Sequence, residues 1–295
     1  MTVVNRPFSG TGIAMVTPFK KDGSIDVDAL DALTKHLVDG GVEYLVVMGT
    51  TGETATLSED EKMIVLNRVI DVNAGRCQIV YGMGGNNTQA IIDQMKAFSV
   101  DGVSAFLSVS PYYNKPTQEG IYQHYKALAA AADRPIILYN VPGRTGSNIT
   151  AETTLRLARD FSNIVGIKEA SGDMEQVMRI INERPDGFSV ISGEDNLTFP
   201  MLCLGGDGVI SVSGQAYPKL FSQMVRDGRQ GEISSSRDAH FKLFAFTQLL
   251  FAEGNPGGIK AALAQLDICE EHMRLPLFPI SDTTRNAIKS AMASI

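Results

Sequence analysis

One lysine in the sequence stands where its amine could act as a nucleophile. Lys168 ends the apolar run 164–168, and none of the other lysines ends a run of this kind. An amine in so apolar a position loses hydration, which disfavours its charged form. A neutral amine can attack a ketone and form an imine. The bland alternative is a lysine whose amine reaches solvent or pairs with Glu169.

Other polar groups also follow apolar runs, and each has a chemical and a structural interpretation. The segment 49–53, GTTGE, offers hydroxyls and backbone N–H groups to a carboxylate, or it is a turn that caps the next element. Tyr139 could shuttle protons, or it could be a core tyrosine with a satisfied hydroxyl. Arg144 could hold a carboxylate, or face solvent. The paired tyrosines of segment 110–116, SPYYNKP, fit catalysis, a subunit contact, or both.

The sequence gives little support for a metal or dinucleotide site. The four histidines lie in helical or C-terminal segments, and none has metal-ligand spacing to another. Three separated cysteines without a CxxC argue against a disulfide framework and a zinc site, and they favour a reducing compartment. No GxGxxG with an acidic partner occurs. We therefore predict no metal and no organic cofactor.

Charge and hydrophobicity exclude several classes of partner. The formal net charge is −7 and there is no basic cluster, which disfavours nucleic acid and anionic membranes. The first ten residues lack the apolar core of a signal peptide, and no run approaches the roughly 18 apolar residues of a membrane-spanning helix. We expect a cytoplasmic protein that acts on small molecules.

Short apolar runs alternate with helix-like segments, which is the pattern of a parallel α/β sheet. Most runs are continuous, as in strands covered on both faces. The predicted strands are 12–16, 44–47, 78–82, 105–108, 136–139, 164–168, 188–192 and 208–212. Eight strand–helix units favour a closed (β/α)8 TIM barrel over an open doubly wound sheet. Active groups of such barrels lie at the carboxyl ends of the strands and in the loops that follow.

Helix signals occur between the predicted strands. Segment 28–38 has leucines on one face, Ser58 and Glu61 form a capping-box pattern, and Thr150 precedes another helix. After the last predicted strand the pattern is helical to the end of the chain. We predict a barrel over residues 1–225 and a C-terminal helical extension over residues 226–295.

Five segments, in order and in register, resemble the dihydrodipicolinate synthase family, and the resemblance spans essentially the whole chain. They are GTTGE (49–53), SPYYNKP (110–116), LYNVPGRTG (138–146), GIKEASGD (166–173) and SGED (192–195). The resemblance implies a TIM barrel that assembles as a homotetramer of two tight dimers. It implies condensation of pyruvate with aspartate 4-semialdehyde through a lysine Schiff base, without a cofactor, on the route to diaminopimelate and lysine.

The same resemblance implies roles for individual residues. The catalytic residues that it implies are Lys168, Tyr139, Thr51 and Tyr113. The substrate-binding residues that it implies are Thr50, Thr51, Arg144, Gly193 and Ile210. Lys168 would form the imine, the hydroxyl groups would relay protons, and Tyr113 would reach the neighbouring subunit's site. Arg144 would bind the carboxylate of the aldehyde.

The chain departs from the family's pattern in two places. Many relatives have NPIPVK where this chain has NPGGIK at 255–260, which puts some packing at the barrel rim in doubt. In lysine-inhibited relatives the effector pocket includes histidines and an acidic residue, and the matching positions here are Glu59, Lys62 and Ala90. The residues that remain compatible with an effector site are Thr54, Asn86 and Tyr112. Without an acidic group at Ala90, we predict weak or absent inhibition by lysine.

Two other interpretations stay open on the sequence. N-acetylneuraminate lyase or a 2-keto-3-deoxy sugar-acid aldolase, from the same superfamily, would share Lys168, Tyr139 and a GxTGE loop. Arg144 and the run 112–114 favour the synthase, because a carboxylated aldehyde needs a cation. A non-catalytic barrel that binds a partner would tolerate an unreactive lysine.

Overall fold

The fold is a closed barrel of parallel strands, seen in a computed structural model that describes residues 6–295. Each strand pairs with the next along the chain, and the last pairs with the first. The strands are β1 Gly10–Ala14, β2 Tyr44–Val47, β3 Gln78–Gly82, β4 Ala105–Val109, β5 Ile136–Asn140, β6 Ile164–Glu169, β7 Ser189–Ser192 and β8 Gly208–Ser211. The predicted (β/α)8 barrel is confirmed.

Helices connect the strands and continue beyond the barrel. They are α1 Val27–Asp39, α2 Glu59–Asn73, α3 Thr88–Ala97, α4 Gln118–Ala131, α5 Pro142–Thr145, α6 Ala151–Asp160, α7 Met174–Glu183, α8 Thr198–Cys203, α9 Pro218–Gln230, α10 Ile233–Phe251, α11 Gly257–Gln265 and α12 Asp282–Met292. A division of the chain at residue 225 stays a prediction, and α9 runs across that position. Within residues 6–295, no helix has both the length and the apolar character needed to cross a membrane.

Local sequence explains where several helices begin. The side chain of Ser58 accepts a hydrogen bond from the backbone N–H of Glu61, and the Glu61 side chain accepts one from the backbone of Ser58. This is the predicted capping box of α2, which satisfies two otherwise unpaired donors. Thr150 caps α6 in the predicted place by accepting from the backbone N–H of Thr153. The apolar face of α1, which includes Leu30, is buried as expected.

The barrel interior is closed at the amino ends of the strands. Residues opposite each other in a parallel pair point to the same face, and Tyr44 pairs with Gly12. The Tyr44 ring occupies the space where a Cβ at Gly12 would lie, and its hydroxyl donates to the Val209 carbonyl at 3.3 Å. Phe8 packs edge-on against the same ring, with centroids 5.8 Å apart. Tyr44 and Phe8 form an aromatic floor at this end, and the polar groups of the candidate site lie at the carboxyl ends of the strands.

The largest differences from the prediction are in β1 and in the C-terminal extension. β1 spans Gly10–Ala14 rather than 12–16, because Gly10 and Thr11 pair with Gly208 and Val209 on β8 although neither is apolar, and residues 15 and 16 lie beyond the strand. Residues 266–281, between α11 and α12, were expected to be helical, but they form no helix. Pro276 and Pro279 lie in this stretch and cannot donate the backbone hydrogen bonds that a continuous helix would need.

Candidate active site

Lys168 lies inside the barrel near the carboxyl end of β6. It is opposite Tyr139 on β5 and Ile191 on β7, so the three side chains share the inner face. Lys168 is 6% exposed, and its Nζ is 4.3 Å from the centroid of the Tyr139 ring. Among residues 6–295 no carboxylate lies within ion-pair distance of this amine. Lys168 and Tyr139, two of the catalytic candidates of the sequence, are therefore neighbours.

Glu169, the next residue, points out of the barrel and does not pair with Lys168. Its carboxylate accepts hydrogen bonds from Asn140 at 3.1 Å, from the Ser171 backbone at 2.8 Å and from Gln176 at 2.9 Å. Burial raises the pKa of Glu169 above its usual range, and these hydrogen bonds act in the opposite direction. Consecutive strand residues face opposite sides, which rules out the alternative of a Lys168–Glu169 pair.

Gly193, just after β7, lies against the reactive lysine. A Cβ at this position would be 3.2 Å from Lys168 Cε and 2.6 Å from the Cβ of Ala170. The Gly193 N–H donates to the Glu169 carbonyl at 2.7 Å, which fixes the backbone beside the amine. Ile210 is buried on β8 and faces the interior, opposite Gly12. Both predicted lining residues thus belong to the barrel interior or its rim.

The Gly49–Glu53 loop follows β2 at the same end of the barrel. Its middle forms one turn of 3₁₀-helix, with Thr50 exposed and Thr51 only 3% exposed. The Thr17 hydroxyl donates to the Gly52 carbonyl at 2.7 Å, and the Thr54 hydroxyl donates to the Gly49 carbonyl at 2.9 Å. These contacts hold the loop from both sides.

The C-terminal extension also holds this loop, through contacts that the sequence analysis missed. Asn255 Nδ2 donates to Thr51 Oγ1 at 2.9 Å. Lys260 Nζ lies 2.5 Å from a carboxylate oxygen of Glu53, and both side chains are completely buried. Burial lowers the pKa of Lys260, while the Glu53 carboxylate opposes that effect. The family's NPIPVK pattern pointed to this segment, but it did not indicate which residues the segment contacts.

Arg144 and Glu194 add charges at the barrel mouth. Arg144 lies on α5, is exposed, and forms no ion pair with another residue of the described chain. Desolvation and the neighbouring Asp195 raise the pKa of Glu194, whereas the positive charges of Lys168 and Arg144 act to lower it. Glu194 is thus within electrostatic reach of both cations. Glu194 lies in the SGED segment, but its sequence context did not indicate a role for it.

The Ser110–Pro116 segment, after β4, is buried at Ser110 and Pro111 but exposed over residues 112–115. Tyr113 is 87% exposed and has a positive φ of 75°. Within residues 6–295 it makes no hydrogen bond to another predicted site residue. The Tyr112 carbonyl accepts a hydrogen bond from Asn86 at 3.3 Å, so two of the effector-site candidates are in contact. The third, Thr54, instead bonds to backbone carbonyls of the Gly49–Glu53 loop and its flank.

The described residues hold no preformed metal cluster: no group of three or more His, Cys, Asp or Glu side chains between positions 6 and 295 could ligate one ion. His124, on α4, contacts the Thr88 hydroxyl at 2.8 Å through Nδ1. Burial lowers the pKa of His124 to about 4. Its ring is therefore neutral at physiological pH and links α3 to α4.

A closed barrel with a buried lysine and further polar groups at the carboxyl ends of its strands defines the chain as a (β/α)8-barrel enzyme. The family model described as the dihydrodipicolinate synthetase family matches residues 7–295. The chain belongs to this family, as the resemblance of the five segments implied.

Known proteins are similar over almost the full length. A relative from Flavobacterium psychrophilum, named 4-hydroxy-tetrahydrodipicolinate synthase, is 53% identical over 281 residues, which cover 95% of this chain and 96% of the relative. The crystal structure of dihydrodipicolinate synthase from Aquifex aeolicus has a TM-score of 0.93 and 38% identity, and covers 97% of each chain. The chloride-inhibited enzyme from Acinetobacter baumannii, solved with pyruvate, has a TM-score of 0.94 and 39% identity, and covers 97% of this chain and 98% of that one.

Proposed function

We propose that this lyase condenses pyruvate with aspartate 4-semialdehyde to give 4-hydroxy-tetrahydrodipicolinate, the first committed step towards diaminopimelate and lysine. The names of the full-length relatives support this activity, and the Acinetobacter baumannii enzyme was solved with pyruvate. One observation carries the chemistry. Lys168 is buried in the barrel beside Tyr139, and no carboxylate in the described chain lies within ion-pair distance of its amine.

The proposed reaction begins with attack of neutral Lys168 Nζ on the carbonyl carbon of pyruvate. Loss of water gives an imine, and loss of a proton from the methyl group gives an enamine. The enamine carbon attacks the aldehyde carbon of the second substrate. The amino group of that substrate then attacks the imine carbon, which closes the ring and releases the lysine. The sum of these steps consumes both substrates and yields the cyclic product and one water.

Several of these steps move protons, and hydroxyl groups are the proposed carriers. Tyr139 and Thr51 are both buried at the carboxyl end of the barrel, close to where the imine would form. Tyr113 would complete the relay from the neighbouring subunit, as the family resemblance implies. Positioned proton transfer contributes a factor of about 10²–10⁴ in rate.

Carboxylates on both substrates need their own partners. We assign the pyruvate carboxylate to Thr50 and Thr51 in the turn of the Gly49–Glu53 loop, where hydroxyl and backbone donors are available. We assign the aldehyde's carboxylate to Arg144, whose guanidinium is exposed at the mouth and can bind a carboxylate through two hydrogen bonds. The carbonyls of Gly193 and Ile210 are the proposed lining beside the imine.

We further propose a homotetramer, built from two tight dimers, in the cytoplasm. A second copy that covers the Ser110–Pro116 segment would explain why Tyr113 is so exposed in one chain. All three cysteines are free, as in a reducing compartment. Sedimentation velocity at the working concentration tests the assembly, and a species of one chain with full activity would contradict it.

Trapping with borohydride tests the proposed chemistry. The protein is incubated with pyruvate, reduced, digested and mapped, and we expect the adduct at Lys168. Lys168→Arg should lose the adduct and turnover, whereas Lys126→Arg, on the exposed surface of α4, should keep both. Absence of an adduct from the unaltered protein would overturn the lysine mechanism. Equal turnover of aspartate 4-semialdehyde and of sugar aldehydes by the untreated enzyme would overturn the assigned substrate.

A further inference from the structure

Asn255, in the C-terminal part of the chain, contacts a residue of the candidate site directly. Its Nδ2 donates to Thr51 Oγ1 at 2.9 Å, across 204 residues of sequence. Its other amide atom, Oδ1, is buried and has no hydrogen-bond partner among residues 6–295. The contact with Thr51 is thus the one polar interaction of this side chain within the described chain.

The backbone on both sides of this contact is held in place. Asn255 directly precedes Pro256 and α11, where Gly258 packs so closely on the Leu250 backbone that a Cβ would overlap it. One turn further, Lys260 forms the buried ion pair with Glu53. The segment and the Gly49–Glu53 loop are therefore joined at two points. The Asn255 backbone therefore cannot move away from Thr51 without disturbing the ion pair or the packing of α11.

The direction of this hydrogen bond determines where the Thr51 proton can go. A hydroxyl has one hydrogen and two lone pairs. Asn255 donates to one lone pair, and no acceptor for the Thr51 hydrogen is present among the described residues. We propose that Asn255 is a positioning residue, which orients the Thr51 hydroxyl so that its hydrogen is offered to the relay and the substrate rather than to α11. This inference rests on the proposed function, in which Thr51 carries a proton.

The substitution Asn255→Asp tests this orientation. An ionised carboxylate has nearly the same shape as the amide but can only accept, so it would draw the Thr51 hydrogen towards itself. We expect kcat at pH 8 to fall by about 10²-fold, the lower end of the range for a lost proton transfer. KM for pyruvate should change by a smaller factor than kcat, because Thr50 and the backbone donors of the turn are unaltered, and the yield of borohydride-trapped adduct at Lys168 with saturating pyruvate should stay close to the wild-type value.

Acidification gives a readout that a purely structural role would not produce. When the introduced carboxyl group takes up a proton it regains a donor, so kcat relative to wild type should recover several-fold between pH 8 and pH 5.5. Other charged groups lie on the elements around residue 255. They are Glu53, Lys260 and Arg274 at the buried ion pair, and Lys168 and Glu194 at the barrel mouth. Wild type and Asn255→Asp share all of these groups, so the ratio of their kcat values reports the titration of the introduced carboxyl group. Asn255→Ala should lose kcat without this recovery.

Asn73→Asp is the matched control. Asn73 is buried beyond the amino end of the barrel, where its Nδ2 donates to the Cys77 carbonyl at 2.8 Å. This change should alter stability but leave kcat per active site unchanged at every pH. Wild-type kcat in Asn255→Ala, or a deficit in Asn255→Asp that is the same at all pH values, would overturn the inference. Failure to trap Lys168 in the unaltered enzyme would instead count against the proposed function.

Discussion

Two segments at the same end of the barrel differ in how firmly contacts within the chain fix them. The Gly49–Glu53 loop is fixed within its own chain, by the Lys260 ion pair, by Asn255 and by Thr17. The Ser110–Pro116 segment has two long side-chain hydrogen bonds, from Asn86 to the Tyr112 carbonyl at 3.3 Å and from Ser147 to the Pro111 carbonyl at 3.5 Å, and Tyr113 is 87% exposed. The Gly49–Glu53 loop carries Thr50 and Thr51, which we assign to the pyruvate carboxylate. The Ser110–Pro116 segment carries Tyr113, which we assign to the site of a neighbouring subunit.

This difference indicates how the site is completed. A bulky residue with a positive φ persists when surrounding contacts compensate for its strain. Tyr113 has such a φ, and its own chain supplies little contact. The Gly49–Glu53 side of the site is thus fixed by intrachain packing, and we propose that a second copy completes the Tyr113 side. Changes to the loop should therefore affect stability first, and changes to the segment should affect catalysis.

The largest effect should come from Lys260→Met. This change leaves the Glu53 carboxylate buried without its cation, which typically costs about 3–5 kcal/mol. Denaturant unfolding of the isolated protein measures the loss. The double change Glu53→Gln with Lys260→Met removes both charges and should regain most of the stability. A single variant as stable as wild type would mean that the loop is not fixed by this pair.

The support of the Ser110–Pro116 segment should respond to acid. His124 joins α4 to Thr88 on α3, and burial lowers its pKa to about 4. Between that value and the unfolded pKa of about 6.5 the unfolded chain binds more protons than the folded chain, so stability falls as pH decreases. The full effect is at most about 3 kcal/mol.

The variant His124→Gln removes this titration. Its unfolding free energy should fall less steeply than that of wild type from pH 6.5 to pH 4, in parallel denaturant titrations. The carboxyl groups that also titrate there are shared, so they cancel in the difference. Parallel curves for the two proteins would show that His124 does not take part.

Catalysis should be the sensitive property of the exposed segment. Tyr113→Phe removes the hydroxyl assigned to the relay, and we expect kcat to fall by about 10²-fold with little change in unfolding free energy. Tyr112→Phe is the matched control and should keep kcat. Steady-state assays with the oligomeric state checked by sedimentation separate lost chemistry from lost assembly. Unchanged kcat in Tyr113→Phe would remove this residue from the relay.

The smallest expected effect concerns inhibition by lysine at the possible effector site near the Ser110–Pro116 segment. Inhibition by lysine should be weak or absent, because Ala90 on α3 offers no carboxylate to the effector's ammonium. Ala90→Glu should lower the lysine concentration for half-inhibition by about tenfold, the effect of one added charge pair worth roughly 1.4 kcal/mol. Half-inhibition of the unaltered enzyme by micromolar lysine would contradict the prediction.

Local patterns predicted the site residues that belong to strands, because a strand end and the loop after it are adjacent in sequence. Lys168 and Tyr139 were placed at the carboxyl ends of neighbouring strands, and they are indeed 4.3 Å apart from amine to ring centre. The contacts of Asn255 and Lys260 were missed, because their partners lie 204 and 207 residues away. Neither residue follows an apolar run, so the rule that found the other candidates did not apply.

The aromatic floor formed by Tyr44 and Phe8 has a kinetic consequence. Because these two buried rings fill the interior at the amino ends of the strands, we expect both reactants to enter, and the water and the product to leave, at the carboxyl ends. A keto acid that bonds to Lys168 inside the barrel should then arrive before the aldehyde, so the architecture favours an ordered sequence of arrivals.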